Sequence, residues 1–527
     1  MNGASVFADG KGVYKWHGAV SDMQKSIADV CREEVKMRLQ KANYIGLMLD
    51  ESLDIAVEKK LVLFCKFLHE NKIFVQFGAN VVVTDGKAET IYKAIKTFLN
   101  DMNINVGKLS GLGTDGASVM MGNRQGVGTK LKTDKPNLIH VWCCAHKLAL
   151  VAHYAANEID FMKKVQETMI GIFNFYNYSA VRYNKIRELT KIMNIHVKRF
   201  KKPTQVRWLS VFEAVEAIHG ALSVLYIALD HEATNGSGAS GEGSAKAKGL
   251  KVTIQSYKFL ATLCLLKEVL HGVTRCSKVF QSDVIDIDKM DTMLTVTRQH
   301  IQSFKETDPN SLEELHTALA QCDQNNNPLM YKGIEVTKYN EQEKRAFTNL
   351  RNRFLNNLET EFNKRFQEND LRVLKDLNIL LNPKKLPQTL QDMQAHGQES
   401  LERTVTFFGN DIGGGDLRES FNQYKFLEAN NRDLTLQEFC LKLLCEYQNE
   451  FPSFCQIAEI MLTVPITSVP CERGFSSQNK IHSHSRNRLG SANVENKMFI
   501  QSTDLDITVL SERACGKFMS TTRSKFK

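Results

Sequence analysis

The hydrophobic period of this chain changes several times in its first third. Residues 20–42 carry Met23, Ile27, Val30, Val35 and Leu39 at helical spacing among charges, which predicts an N-terminal helix. The apolar residues then shorten into runs: Tyr44 to Leu49, Leu61 to Phe67, and Phe74 to Val83. Their β-branched and aromatic content predicts three strands, and the connections are too short for a parallel crossover, so the pairing should be antiparallel. Residues 88–102 return to a helical pattern, with Ile91, Ala94, Ile95, Phe98 and Leu99 on one face. Leu109 to Thr114 reads as a fourth strand, about 124–133 as a short helix, and Leu138 to Trp142 as a fifth strand. From Lys147 to about Tyr178 the pattern is helical again, giving the order βββαβαβα. Asp50 and Asp115 each stand at the carboxyl end of one of these strands.

Beyond about residue 210 strand signals fade. Residues 211–231, 250–282, 289–306, 340–367, 418–449 and much of 453–500 read as helices. Loops are expected around 323–334 and 409–416, and a mobile Gly/Ser-rich linker over 233–249. The fold class expected is therefore α/β plus all-α: a mixed five-stranded sheet with helices, and a large helical domain.

At 527 residues the chain exceeds what one hydrophobic core sustains. A content of 43% hydrophobic and 24% charged residues fits a folded, water-borne protein. The formal net charge of +9 permits a polyanionic partner without requiring one. The twelve cysteines follow no spaced framework, and several sit inside apolar runs, as reduced buried thiols of a cytosolic or nuclear protein would. No apolar run is long enough to cross a bilayer and no secretory signal is seen, so no membrane partner is expected.

Near the C-terminus, Ser468-Val469-Pro470-Cys471-Glu472-Arg473-Gly474-Phe475-Ser476-Ser477 follows an apolar segment. Pro470 suits the first helical turn, where its missing N–H costs nothing, and Glu472 there would face the positive end of the helix dipole. The stretch reads equally as a helix start with a solvated Glu472–Arg473 pair and as part of a site. Strand ends can hold carboxylates within the tolerance that metal chemistry needs, and magnesium takes oxygen ligands. Asp50 and Asp115 would need a third carboxylate from a packed helix, and Glu472 is the candidate.

Five blocks in order resemble the hAT superfamily of DNA transposases and their domesticated derivatives. They are Leu49-Asp50-Glu51-Ser52-Leu53-Asp54, the run Gly113 to Gly122, Cys143-Cys144-Ala145-His146, Arg207-Trp208, and Pro470 to Ser476 followed by Arg486-Asn487-Arg488-Leu489. The resemblance implies a ribonuclease H-like core interrupted by a large helical insertion. It implies that Asp50, Asp115 and Glu472 bind two divalent ions, Mg2+ or Mn2+, for cleavage at transposon ends and strand transfer. Arg207 and Trp208 match a pair associated with a flipped base, while core packing is the plainer reading of Trp208. Cys143 and His146 match a Cys-x-x-His block counted among the DNA contacts; a zinc pair, or a buried thiol beside a satisfied histidine, are the alternatives. Lys201 and Lys202, within the basic run Lys198 to Lys202, and Arg473 are further DNA-binding candidates, with a solvated charge run as the alternative. Glu51, Asp54, His482 and His484 read as solvated turn or loop residues.

By this resemblance residues 1–42 are an N-terminal helical segment, 43–210 the first part of the core, 211–435 the insertion, 436–505 the last part with the dimerisation region, and 506–527 a tail. Self-association as a homodimer or larger assembly, DNA as partner (transposon ends or host sites) and nuclear localisation follow as expectations. No Cys-x-x-Cys with a distal His pair precedes residue 44, where full-length members carry a BED-type zinc finger. The alternative function is a domesticated, catalytically silent nuclear factor that binds DNA or proteins, as a regulator or SUMO-ligase-like protein.

Overall fold

A computed structural model of the chain describes residues 17–53, 58–203, 208–235, 241–281, 286–367, 371–483, 486 and 488–525. The chain divides into two compact units. One comprises Met1–Cys144, Asp283–Ile287 and Leu371–Lys527, the other Ala145–Ser282 and Asp288–Asp370.

The first unit is built on a five-stranded sheet, β1 (Ile45–Leu53), β2 (Lys59–His69), β3 (Lys72–Val82), β4 (Leu109–Thr114) and β5 (Ile139–Trp142), in the order β3-β2-β1-β4-β5. β1, β2 and β3 pair antiparallel as their short connections dictate, whereas β4 and β5 join in parallel after helical crossovers. The mixed sheet and its helices form a ribonuclease H-like core. β1 differs from the sequence reading: it runs on through Asp50 and Glu51 to Leu53, because β2 begins early enough to pair with those polar residues. Asp50 thus lies inside a strand, and a cross-strand partner fixes it.

Side chains alternate between the two sheet faces. One face carries helix α2 (Ala88–Asp101), whose buried Ile91, Ile95, Phe98 and Leu99 form the stripe the sequence predicted. Lys130–Glu89 and Lys96–Asp134 ion pairs tie α2 to the neighbouring Val127–Asp134 helix. The opposite face is covered by segments from the far end of the chain, the helices Pro452–Thr463, Val469–Ile481 and Ser491–Ser502. There Phe77 packs edge-to-face against Phe64 and Phe499, with centroids 5.6 and 4.8 Å away.

Three local expectations change. Residues 409–416 are not a loop: after a 3-10 turn a helix starts at Gly414 and buries Leu417, Phe421 and Tyr424. Residues 507–525 are a helix that packs along α1 (His17–Lys41), with Arg513 and Lys517 paired to Glu34 and Glu33. Over 233–249, helix reaches Asn235 on one side and resumes at Glu242 on the other.

The second unit is helical around Tyr257–Phe280, which is buried along most of its length. It packs against the helices Trp208–Gly220, Asn310–Gln324 and Glu341–Arg365, and a small hairpin (Met330–Tyr331, Ile334–Glu335) stands within the loop expected at 323–334. The helical unit begins at Ala145, earlier than the expected residue 211, and its last residues precede 371 rather than 435. Periodicity identifies a helix but not which core its buried face joins. No single described helix is long and apolar enough to cross a membrane.

Candidate active site

The β1–β4 register sets the site. Gly46, Leu47 and Met48 pair with Gly111, Leu112 and Gly113. Continuing that pairing by two residues brings Asp115, the first residue past β4, level with Asp50. Alternation also gives the two aspartates the same face. A Cβ on Gly46, Gly111 or Gly113 would strike the Thr463–Pro465 segment, so 46, 48 and 50 on β1 and 111 and 113 on β4 point toward it, with 115 next in the alternation. Adjacent strands lie about 4.8 Å apart.

The helix Val469–Ile481 crosses that same face. Gly474 sits so close that a Cβ there would lie 2.8 Å from Phe64 and 3.1 Å from Val62, the cross-strand partner of Asp50. Pro470 occupies the first turn, as expected, and Glu472 follows it, half-buried. Cys471, the residue before Glu472, is wholly buried. Burial holds its thiol well above the ordinary value, and the nearby Asp50, Cys143 and Glu472 push the same way.

The helix start is held by an unanticipated device. Its N-cap, Ser468, makes no side-chain capping bond. Instead the Ser468 N–H donates to Cys143 Sγ at 3.2 Å, and that sulfur lies 3.5 Å from Thr467 Oγ1. The Cys143 N–H in turn donates to the Thr114 carbonyl at 2.8 Å, and the Cys144 N–H to Ile466 at 3.3 Å. The ends of β4 and β5 are thereby stitched to the turn that launches the Glu472 helix. This corrects the expectation for Cys143: with no exposed surface it is not a DNA contact but an anchor. In the sequence, the only signal was a cysteine directly after a strand.

Glu51 is also corrected. Its side chain is 19% exposed rather than solvated, Oε2 pairs with Lys59 Nζ at 3.2 Å, and the buried Oε1 has no hydrogen-bond partner. Burial raises its carboxyl against the opposing pull of Lys59, with Asp115 and Asp85 adding to the rise. Asp54 lies outside the described residues. His482, expected in solvent, is buried at the end of the motif helix, while His484 lies outside the described residues.

Asp50 and Asp115 each turn a carboxylate oxygen to a backbone N–H, of Glu51 (2.9 Å) and Ala117 (3.2 Å) respectively. Among the described residues no group of three His, Cys, Asp or Glu side chains is drawn together closely enough to hold a metal ion. In chemistry the donors nevertheless suit a hard divalent cation: register and alternation bring the Asp50 and Asp115 carboxylates level on the face that the Glu472 helix crosses.

Of the remaining candidates, Arg473 belongs to the first unit and is exposed. With Phe64, Phe77 and Met498 it lines a groove of about 250 Å³. The others belong to the second unit. His146 is half-buried on the helix Cys144–Asn157. Lys201 and Lys202 are exposed, but Lys201 pairs with Glu213 at 2.8 Å and Lys198 with Glu216 at 2.6 Å, so the basic run is partly neutralised. Trp208 begins the helix Trp208–Gly220, and Arg207 lies outside the described residues.

Two family models match the chain. Residues 16–126 match one described as the ZMYM1/FAM200, RNase-like domain, which covers α1 through β4 and includes Asp50 and Asp115. Residues 417–503 match the hAT family C-terminal dimerisation region, which starts earlier than residue 436 and includes Glu472. The second match supplies a region for self-association. A ribonuclease H-like sheet at one end of the chain and this region at the other together support an hAT-family transposase or a domesticated derivative of one.

Proposed function

We propose that the protein is a divalent-metal-dependent DNA-cleaving and strand-transferring enzyme whose acidic triad is Asp50, Asp115 and Glu472. The observation that carries this reading is the shared level and face of Asp50 and Asp115, across which the Glu472 helix packs. Asp50 and Asp115 would hold Mg2+ or Mn2+ from the sheet and Glu472 from the helix. A bound ion would supply Lewis-acid stabilisation of charge on the reacting phosphate. The chain's own contribution is placement. The strand pairing fixes Asp50, the Cys143 anchor fixes the helix start, and the buried apolar face beneath limits the water that reaches the carboxylates. Self-association through the C-terminal region supports this reading, which places the protein in the nucleus.

A second reading is a catalytically silent nuclear factor that retains fold and self-association. What favours it is the spread of the carboxylates, two of which already accept backbone N–H bonds. Plasmid nicking in Mg2+ or Mn2+ separates the two. The first reading expects cleavage by the parent chain, abolished by Asp115→Asn with salt-sensitive DNA binding largely kept. Equal nicking by parent and variant would remove Asp115 from the chemistry, and DNA binding with no nicking by either would leave the silent factor.

A further inference from the structure

After Asp115 the chain makes one helical turn, Ser118–Met121, then a short loop, then the Val127–Asp134 helix. The loop is pinned backbone to backbone. The Gly126 N–H donates to the Gly122 carbonyl at 2.9 Å, Thr129 Oγ1 donates to the same oxygen at 2.8 Å, and the Gly122 N–H donates to Ser118 at 2.9 Å. Both glycines are required, since a Cβ would come within 2.6 Å of the Gly122 backbone from Gly126 and within 2.5 Å of the Ser118 carbonyl from Gly122. Between these clamps Asn123, Arg124 and Gln125 project into solvent. Among the described residues none of the three has a hydrogen-bond or ion-pair partner.

That combination is selective. Arginine meets guanine, and asparagine or glutamine meets adenine, through paired hydrogen bonds to base edges in the major groove. A surface that only follows phosphates would gather uncompensated cations. Here the neighbouring cations are already spent: Lys130 pairs with Glu89 at 2.8 Å and Lys87 with Asp85 at 3.3 Å. Arg124 is left with two amides, at the rim of an open groove of about 730 Å³ that runs past Lys87 and Ser118. A rigid backbone also lowers the ordering cost of using such side chains for recognition.

We propose that the Asn123-Arg124-Gln125 tip is a base-reading contact for double-stranded DNA, which selects sequence beside the Asp50–Asp115 end of the sheet. The inference rests on the DNA-directed function proposed above. One helical turn joins the tip to Asp115, so the sequence it selects lies next to the position of cleavage.

The test uses the full chain and a library of random-sequence duplexes about 30 base pairs long. Selection and fluorescence anisotropy are run on the parent, on Arg124→Lys and on the triple variant Asn123→Ala/Arg124→Ala/Gln125→Ala. All three positions are exposed, so unchanged melting is the check on folding. The parent should enrich a short motif, and the triple variant should bind that motif about ten- to a hundredfold more weakly while losing enrichment. Arg124→Lys should keep the salt dependence of binding but lose preference at one or two positions, because lysine keeps the charge without the paired geometry. If the parent binds DNA and the triple variant enriches the same motif equally well, the loop assignment is overturned alone. If the parent binds no duplex at all, the DNA-directed function falls with it.

Discussion

A Cβ on Gly46 would lie 2.1 Å from the carbonyl oxygen of Thr463, and 2.7 Å from Pro465 Cδ. A Cβ on Gly111 would lie 3.0 Å from Val464 and Pro465, one on Gly113 would lie 3.2 Å from Pro465, and Ser110 Oγ lies 2.9 Å from Thr463 Oγ1. Three glycines on two neighbouring strands thus form a trough in the sheet face. The Thr463–Pro465 segment lies in it, and the helix bearing Glu472 starts shortly after. The position of Glu472 over the sheet is therefore set by missing side chains.

Gly46→Ala should cost about 2 kcal/mol or more, since the obstructing atoms are backbone and cannot rotate away. Urea unfolding would read this as a lower midpoint with an unchanged slope. Gly415→Ala is the control: nothing lies within 4 Å of its added Cβ, and helix propensity favours alanine there. Equal stability of Gly46→Ala and the parent would contradict the trough.

Cys143→Val should destabilise by about 1–3 kcal/mol, because the buried Ser468 N–H loses its acceptor. Cys143→Ser keeps an acceptor and should lose less. Thiol-reactive reagents should leave Cys143 unlabelled in the native protein, while the exposed Cys445 and Cys515 react. Mass spectrometry of labelled peptides checks the second point, and chemical denaturation the first.

His140 should make the core acid-sensitive. On β5, its Nε2 lies 3.0 Å from Thr114 Oγ1, and its ring fills the space that a side chain at Gly128 would take. Burial, helped by Lys132, lowers its pKa from 6.5 to about 4. The unfolded chain therefore binds the proton more readily between those values. This contribution is complete above pH 6.5 and is lost as pH falls through about 4. Allowing for partial exposure, it amounts to on the order of 2 kcal/mol. His140→Gln should flatten the loss of melting temperature over that window; an unchanged pH profile would exclude His140 as its source.

Much of the core was legible because its signals are local. Short β-branched runs separated by tight connections yield β1 to β3, and α2 follows from one apolar stripe. Asp50 and Asp115 stood out as charges at the ends of apolar runs, although β1 continues past Asp50. What was hidden depends on pairings between distant residues. Cys143 as an anchor requires knowing that Ser468 lies against it, and Glu51 looks solvated until Lys59 and Gly86 are folded beside it. The helix from Gly414 and the one over 507–525 form because packing overrides weak propensity and a polar average. Their buried residues, Phe421 and Phe518 among them, show no partner in a linear reading.

The glycine trough also has a consequence for biosynthesis. A growing chain completes β1 to β5 long before Thr463–Pro465 has been made, so the open trough and its apolar neighbours wait uncovered while the intervening helices are synthesised. A transcript truncated within those helices would yield a sheet with a permanently exposed apolar face, prone to aggregation and lacking Glu472. Covering the face and bringing in Glu472 are the same late event, so a prematurely terminated chain lacks both the cover and the third carboxylate of the proposed site.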